Sequence, residues 1–319
     1  MMGITSKAER HALNKIIESL YLYSDEITVA SLFSNEKLQS CLQNELVCNP
    51  ELFFVNGFKL MYSPITTAVY PSYGYDEATF KRILDSCRKK RSQLVSRIQG
   101  NDNYSRVLQA HDFLARNVRY INGIDKDLHT IVGPFTKKQG VCEGYAKAYK
   151  YLLDMMNIPC RIVYGYGCDP GVEIEESHAW NMIQLDENWL HVDVTFDTTI
   201  RSGQVLRYDY FGLSTEQIAR DHRFEKEKYP IAECLGYGYY ERNNLVMTTR
   251  KQMRDYLSGA LHSGKTDCVF KLPDSSSGEN LDAKVSSEIQ NLLQQLRMNL
   301  RYTINFNLKQ RVFHASFER

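Results

Sequence analysis

The segment Gln139-Gly140-Val141-Cys142-Glu143-Gly144-Tyr145-Ala146 constrains this chain more than any other. It turns a glycine-containing loop into an apolar-periodic run that reaches about Asn157, with Pro159 beyond it. That order predicts a loop followed by a helix, with Cys142 at the helix start. A helix N-terminus presents unpaired N–H groups and a partial positive charge, so it stabilises an anion placed there. The thiolate, not the thiol, is the nucleophile, and the same N–H groups suit the oxyanion of a tetrahedral intermediate. Cys142 is therefore a candidate nucleophile, although a lone cysteine at a helix start is more often a small buried apolar residue.

Two later segments supply partners. The pattern predicts a strand over 178–185, a turn at Asp186-Glu187-Asn188 and a second strand over 189–196. In the second strand Leu190, Val192, Val194 and Phe196 alternate with Trp189, His191, Asp193 and Thr195, which sets Asp193 opposite the core face. Pairing Leu185 with Leu190 leaves His178 and Asp193 on one face but offset along it, so a longer turn or a bulge has to close the gap. His178 is the candidate base and Asp193 the group that fixes its ring. His191 alternates in phase with Asp193 and could approach the same face. His111 and His222 are expected to be structural.

Taken together, Gly140-Val141-Cys142-Glu143-Gly144-Tyr145-Ala146, His178-Ala179-Trp180-Asn181 and His191-Val192-Asp193-Val194-Thr195-Phe196-Asp197 resemble the signature segments of the transglutaminase-like superfamily. The likeness is closest to its bacterial domain proteins and covers about 105–225. His111-Asp112-Phe113-Leu114, Tyr208-Asp209-Tyr210-Phe211 and Asp221-His222 resemble supporting segments. The resemblance implies an α+β fold with a papain-like core, in which Cys142 is the nucleophile, His178 the base and Asp193 the orienter. It implies a thioester acyl-enzyme formed from a peptide or protein amide, released to an amine or to water, with no cofactor and no metal. The outcome is then transamidation, deamidation or peptide hydrolysis. Trp180, Tyr120 and Gln139 are candidates for substrate contacts, and the last two also for the second oxyanion donor. Phe196 stands where relatives often carry Trp. The sequence lacks the paired Cys-x-x-Cys zinc ligands of peptide N-glycanase relatives and any acidic run with calcium-loop spacing. A non-catalytic peptide-binding or protein-binding module that retains the fold is the alternative. A thiolate metal site drawn from Cys142, Cys160, Cys168 and His178 has poor spacing.

Composition adds bounds. The chain has 319 residues, 43% hydrophobic and 24% charged, as an ordinary globular protein does. A net charge of +1 gives no electrostatic ground for a nucleic-acid or membrane partner. The Arg88-Lys89-Lys90-Arg91 run is expected to be a solvated helix face. Met1 to Lys7 leads into a charged amphipathic run rather than an apolar signal segment. No stretch approaches a membrane span, and the eight cysteines are scattered. These features predict a cytoplasmic location.

Three segments are expected. In 1–100, helices run from the Ser6 capping box to about Tyr23, from Glu36 to Val47 and from Asp76 to Gln99; short strands lie at 52–55, 58–62 and 66–70, turning at Asn56-Gly57. In 101–229, the core, a helix over 104–118 is followed by a long loop over 121–141. The acidic loop from Cys168 to Ser177 holds Glu173, Glu175 and Glu176. Gly165-Tyr166-Gly167 lacks the third glycine of a dinucleotide site. In 230–319, an α+β appendage, helices cover 249–261 and 281–298, a strand 268–272, a loop Ser275 to Gly278, and a closing hairpin 302–306 and 312–317.

Overall fold

Ser6 and Glu9 exchange side-chain and backbone hydrogen bonds of 3.1 Å at the start of helix α1 (Lys7–Tyr21), a closed capping box. The computed structural model describes residues 6–168, 175–200, 205–233, 236–274 and 280–318. The expectations for Met1 to Thr5, Glu173, Cys234 and the Ser275 to Gly278 loop lie outside those residues. The fold is α+β, in two compact units, 1–162 and 163–319. The three segments expected from sequence are cut elsewhere, near residues 100 and 229.

In the first unit α1 is followed by β1 (Ile27–Ala30), α2 (Asn35–Cys48), β2 (Val55–Tyr62), β3 (Thr66–Tyr73), α3 (Glu77–Val95), α4 (Asn103–Asn117), β4 (Arg119–Tyr120), β5 (Gln139–Gly140) and α5 (Cys142–Met155). The antiparallel sheet has the order β1-β3-β2. The expected turn at Asn56-Gly57 is not a hairpin: Gly57 follows a register shift inside β2, and the chain reverses at Ser63–Thr66. There the Ser63 Oγ accepts the Thr66 N–H at 2.9 Å, which closes the turn as an Asn-Gly pair would have done elsewhere. The segment expected as a strand at 52–55 begins as a 3-10 turn (Pro50–Leu52).

The basic run on α3 is more than a solvated face. Arg88 binds Glu51 at 2.5 Å, Arg91 lies 3.9 Å above the Tyr151 ring, and Lys90 donates to the Phe135 carbonyl. These cations fasten α3 to Glu51, to Tyr151 of α5 and to the Phe135 carbonyl.

Strand β6 (Cys160–Cys168) carries the chain into the second unit. There follow β7 (Glu175–Leu185), β8 (Asn188–Val192), α6 (Val194–Thr199), β9 (Phe211–Leu213), α7 (Thr215–Ile218), β10 (His222–Arg223) and α8 (Tyr239–Arg242). Then come α9 (Arg250–His262), β11 (Asp267–Lys271), α10 (Leu281–Gln295), β12 (Arg301–Asn307) and β13 (Val312–Glu318). One sheet runs β10-β6-β7-β8-β9, the other β11-β13-β12. The second sheet, α9 and α10 enclose their own apolar cluster around Leu257, Phe270, Ile289 and Phe313, as the periodicity over 249–317 predicts. Glu175 is a strand residue paired with Arg223 at 2.8 Å, not part of a free acidic loop.

Two glycines give opposite tests. A Cβ on Gly144, in the first turn of α5, would lie 2.1 Å from the Leu128 carbonyl oxygen, whereas one on Gly259 in α9 meets nothing within 4 Å. In urea unfolding, Gly144→Ala should cost about 2 kcal/mol and Gly259→Ala should add up to about 1 kcal/mol.

Candidate active site

Cys142 is the first residue of α5 and is half-buried. The N-cap, Val141, makes no side-chain capping bond. Three tyrosines fix the helix: Tyr145 donates to the Val118 carbonyl at 2.5 Å, Tyr149 to Val107 at 2.9 Å and Tyr151 to Glu51 at 2.9 Å. Glu143 bridges His129 at 3.1 Å and Lys147 at 2.9 Å. The long loop before Cys142 is tied down by a parallel ladder in which Tyr120 pairs with Gly140 and Arg119 with Gln139. Gln139 and Tyr120 are both half-buried, and the Tyr120 ring lies 6.5 Å from that of Tyr145.

In the second unit a tight turn sets the register. Asp186 and Glu187 have φ of 47° and 70°, the left-handed pair that suits a two-residue hairpin. Leu185 therefore pairs with Asn188, Met182 with His191 and Asn181 with Val192. The gap expected between His178 and Asp193 is closed by a shorter turn, not by a longer one or a bulge. The expected second strand also ends early: β8 stops at Val192, and Asp193 becomes the N-cap of α6.

Asp193 is 1% exposed and its carboxylate is fully engaged. One oxygen, Oδ1, accepts the N–H groups of Thr195 and Phe196 at 2.9 and 3.1 Å. The other, Oδ2, meets His178 Nε2 at 2.6 Å and His222 Nε2 at 3.0 Å. Burial works to raise its pKa, but the charge of His178 and the bonds from both imidazoles win, holding the carboxyl well below the usual range. An ionised carboxylate only accepts, so both facing Nε2 atoms carry protons.

The His178 ring lies 4.5 Å from Phe196 and against Gly167 of β6, which has no side chain to obstruct it. A Cβ on Gly167 would lie 2.8 Å from Phe196 Cζ and 3.2 Å from the His178 ring, and one on Gly165 would lie 2.3 Å from the Arg223 carbonyl. The Gly-Tyr-Gly of β6 is thus a floor for aromatic rings. Trp180 is 1% exposed and donates to His191 Nδ1 at 3.0 Å; it packs on His178 and His222. His191, expected to approach the reactive face, is fully buried.

Sequence reasoning missed His222, which it took as structural. Its signal was the Asp221-His222 pair: His222 Nδ1 meets Asp221 Oδ1 at 2.7 Å while Nε2 meets Asp193. Among the described residues, His178, Asp193 and His222 are the group whose ligand atoms, within 4.8 Å of one another, could hold a metal ion. The 2.6 and 3.0 Å contacts to Oδ2 are hydrogen-bond distances. An ion with ligands at roughly 2.0–2.2 Å would drive those atoms apart.

Burial, with His222 and Lys226 nearby, lowers the pKa of His191 to about 3. The unfolded chain takes up a proton there below the ordinary histidine value and the folded chain does not, so stability is lost as pH falls from about 6.5 towards 3. In urea melts between pH 6 and pH 4, His191→Gln should remove about 1 kcal/mol per pH unit from that slope.

The family model of the Transglutaminase-like superfamily matches residues 92–194. No curated protein matches the chain. A crystal structure of a TGase is 13% identical, covering 56% of this chain and 53% of that one, with a TM-score of 0.33. A protein from Cytophaga hutchinsonii described as a candidate cysteine protease is 16% identical, covering 54% and 65%, with a TM-score of 0.30. The periplasmic domain of TgpA from Pseudomonas aeruginosa is 22% identical, covering 41% and 54%, with a TM-score of 0.28. The chain covers less than two thirds of the length of each of these. The segment that this family model matches holds Cys142, His178 and Asp193.

Proposed function

We propose that the protein is a cysteine acyltransferase or amidase in which Cys142 is the nucleophile, His178 the general base and Asp193 the residue that orients His178. The 2.6 Å bond from His178 Nε2 to a buried carboxylate fixed by two backbone N–H groups carries this reading. With Nε2 committed to Asp193, base chemistry at His178 runs through Nδ1.

The Cys142 thiolate attacks the carbonyl carbon of a peptide or protein amide, and the C=O electron pair moves to the oxygen. The N–H groups at the α5 start, with Gln139 or Tyr120 as the further donor, stabilise that oxyanion. Collapse breaks the C–N bond, and the His178 imidazolium gives its proton to the leaving nitrogen. The thioester is then attacked by an amine or by water, whose proton passes to His178, and the thiolate leaves. An amine acceptor gives transamidation; water gives deamidation or peptide hydrolysis, according to which amide was attacked. Trp180 supports this site as the packing partner of the His178 ring. A thiolate nucleophile works where thiols stay reduced, which fits the cytoplasmic location proposed from sequence.

Alkylation by iodoacetamide across pH, read residue by residue by mass spectrometry, tests this reading. Cys142 should react at pH 6 at least about tenfold faster than the other cysteines, and His178→Ala should abolish the excess. Equal reactivity of Cys142 in wild type and His178→Ala would defeat it.

A further inference from the structure

His222 sits on β10 with both ring nitrogens facing carboxylates, Nε2 at 3.0 Å from Asp193 Oδ2 and Nδ1 at 2.7 Å from Asp221 Oδ1. It is 3% exposed. Asp221 is itself held: its other oxygen, Oδ2, accepts the Tyr210 O–H at 2.8 Å and the Gln310 side-chain N–H at 3.2 Å. Burial, and then Asp221, push the Tyr210 pKa well above its ordinary value, so Tyr210 is a neutral donor. Asn307 donates in turn to the Tyr210 oxygen at 3.0 Å. With Oδ2 of Asp221 supplied with donors, Oδ1 is the acceptor for Nδ1–H of His222, while Nε2–H goes to Asp193.

We propose that His222 is a positioning residue for the reaction assigned above: protonated on both ring nitrogens, it ties the Asp193 carboxylate to Asp221 and so fixes His178. The inference rests on that reading for its catalytic consequence, but the hydrogen-bonded chain Asp221–His222–Asp193–His178 stands on its own geometry. Without His222 the Oδ2 atom has only His178 to hold it, and the carboxylate and that ring can then shift together as the Asp193 χ2 angle varies. The mobile partner would then be the one the base depends on.

The ring of His222 also packs on Trp180 at 4.8 Å, Phe196 at 4.8 Å and Tyr210 at 5.5 Å. A packing role and a bonding role therefore rank two substitutions in opposite order. His222→Phe keeps a ring among rings and removes both N–H groups. His222→Gln loses the ring and keeps an N–H for Asp193. If His222 positions Asp193, His222→Phe lowers the pH 6 alkylation rate of Cys142 about tenfold, and His222→Gln stays within about threefold of wild type. A His222→Phe protein as reactive as wild type, or more reactive than His222→Gln, overturns the proposal.

Two-bond 1H–15N spectra of histidine-labelled protein read the same chain without reference to Cys142. Wild type should show protons on both His222 nitrogens and on His178 Nε2, and the His178 Nε2–H signal should persist in His222→Gln and broaden away in His222→Phe. A singly protonated His222 ring in wild type sinks the proposal even if neither variant folds. If Cys142 shows no excess reactivity in wild type, the catalytic reading fails, and these spectra still decide whether His222 holds Asp193.

Discussion

The second unit depends on one buried carboxylate. Asp193 accepts four hydrogen bonds, two from the backbone of the helix it caps and two from imidazoles. A bare carboxylate in such a place would cost several kcal/mol in lost hydration. Four donors offset that cost and remove every rotation the group could make. The same atoms end β8, start α6 and hold His178, so strand end, helix start and site geometry are one constraint. A residue that served only one of these roles could be exchanged for another; Asp193 cannot be without disturbing all three.

Small residues do the complementary work. Gly144 lets the Leu128 carbonyl approach the first turn of α5, and Gly165 and Gly167 leave room for Trp180, Phe196 and His178 above β6. Bulk and its absence are matched across short distances. Gly144 lies in the candidate nucleophile's own helix and Gly167 against the candidate base, while the rings that fill the space over β6 come from β7, α6 and β10.

Much of this was legible in the sequence because it is local. The Ser6 cap, the α5 start at Cys142, the amphipathic helix over 281–295 and the closing hairpin each follow from periodicity and punctuation within a few residues. What failed was long-range or a matter of register. The pairing of Leu185 with Asn188 rather than Leu190 hinges on two non-glycine residues accepting positive φ, which propensity does not favour. The β8 strand was read too long because Val194 and Phe196 continue its alternation while facing inward from a helix. His222 was set aside because only its neighbour Asp221 is local, while its other partner, Asp193, lies 29 residues away.

The brace behind Asp193 has a further consequence for how the chain is made. Asp221 is held by Gln310, 89 residues downstream, and Tyr210 by Asn307, 97 residues downstream. Asn307 ends β12 and Gln310 lies in the turn to β13, and their sheet closes only when β11, β12 and β13 have all been synthesised. Cys142, His178 and Asp193 therefore leave the ribosome well before the residues that steady them. Contacts so distant in sequence form late, and the unit that carries the candidate base is completed from its far end.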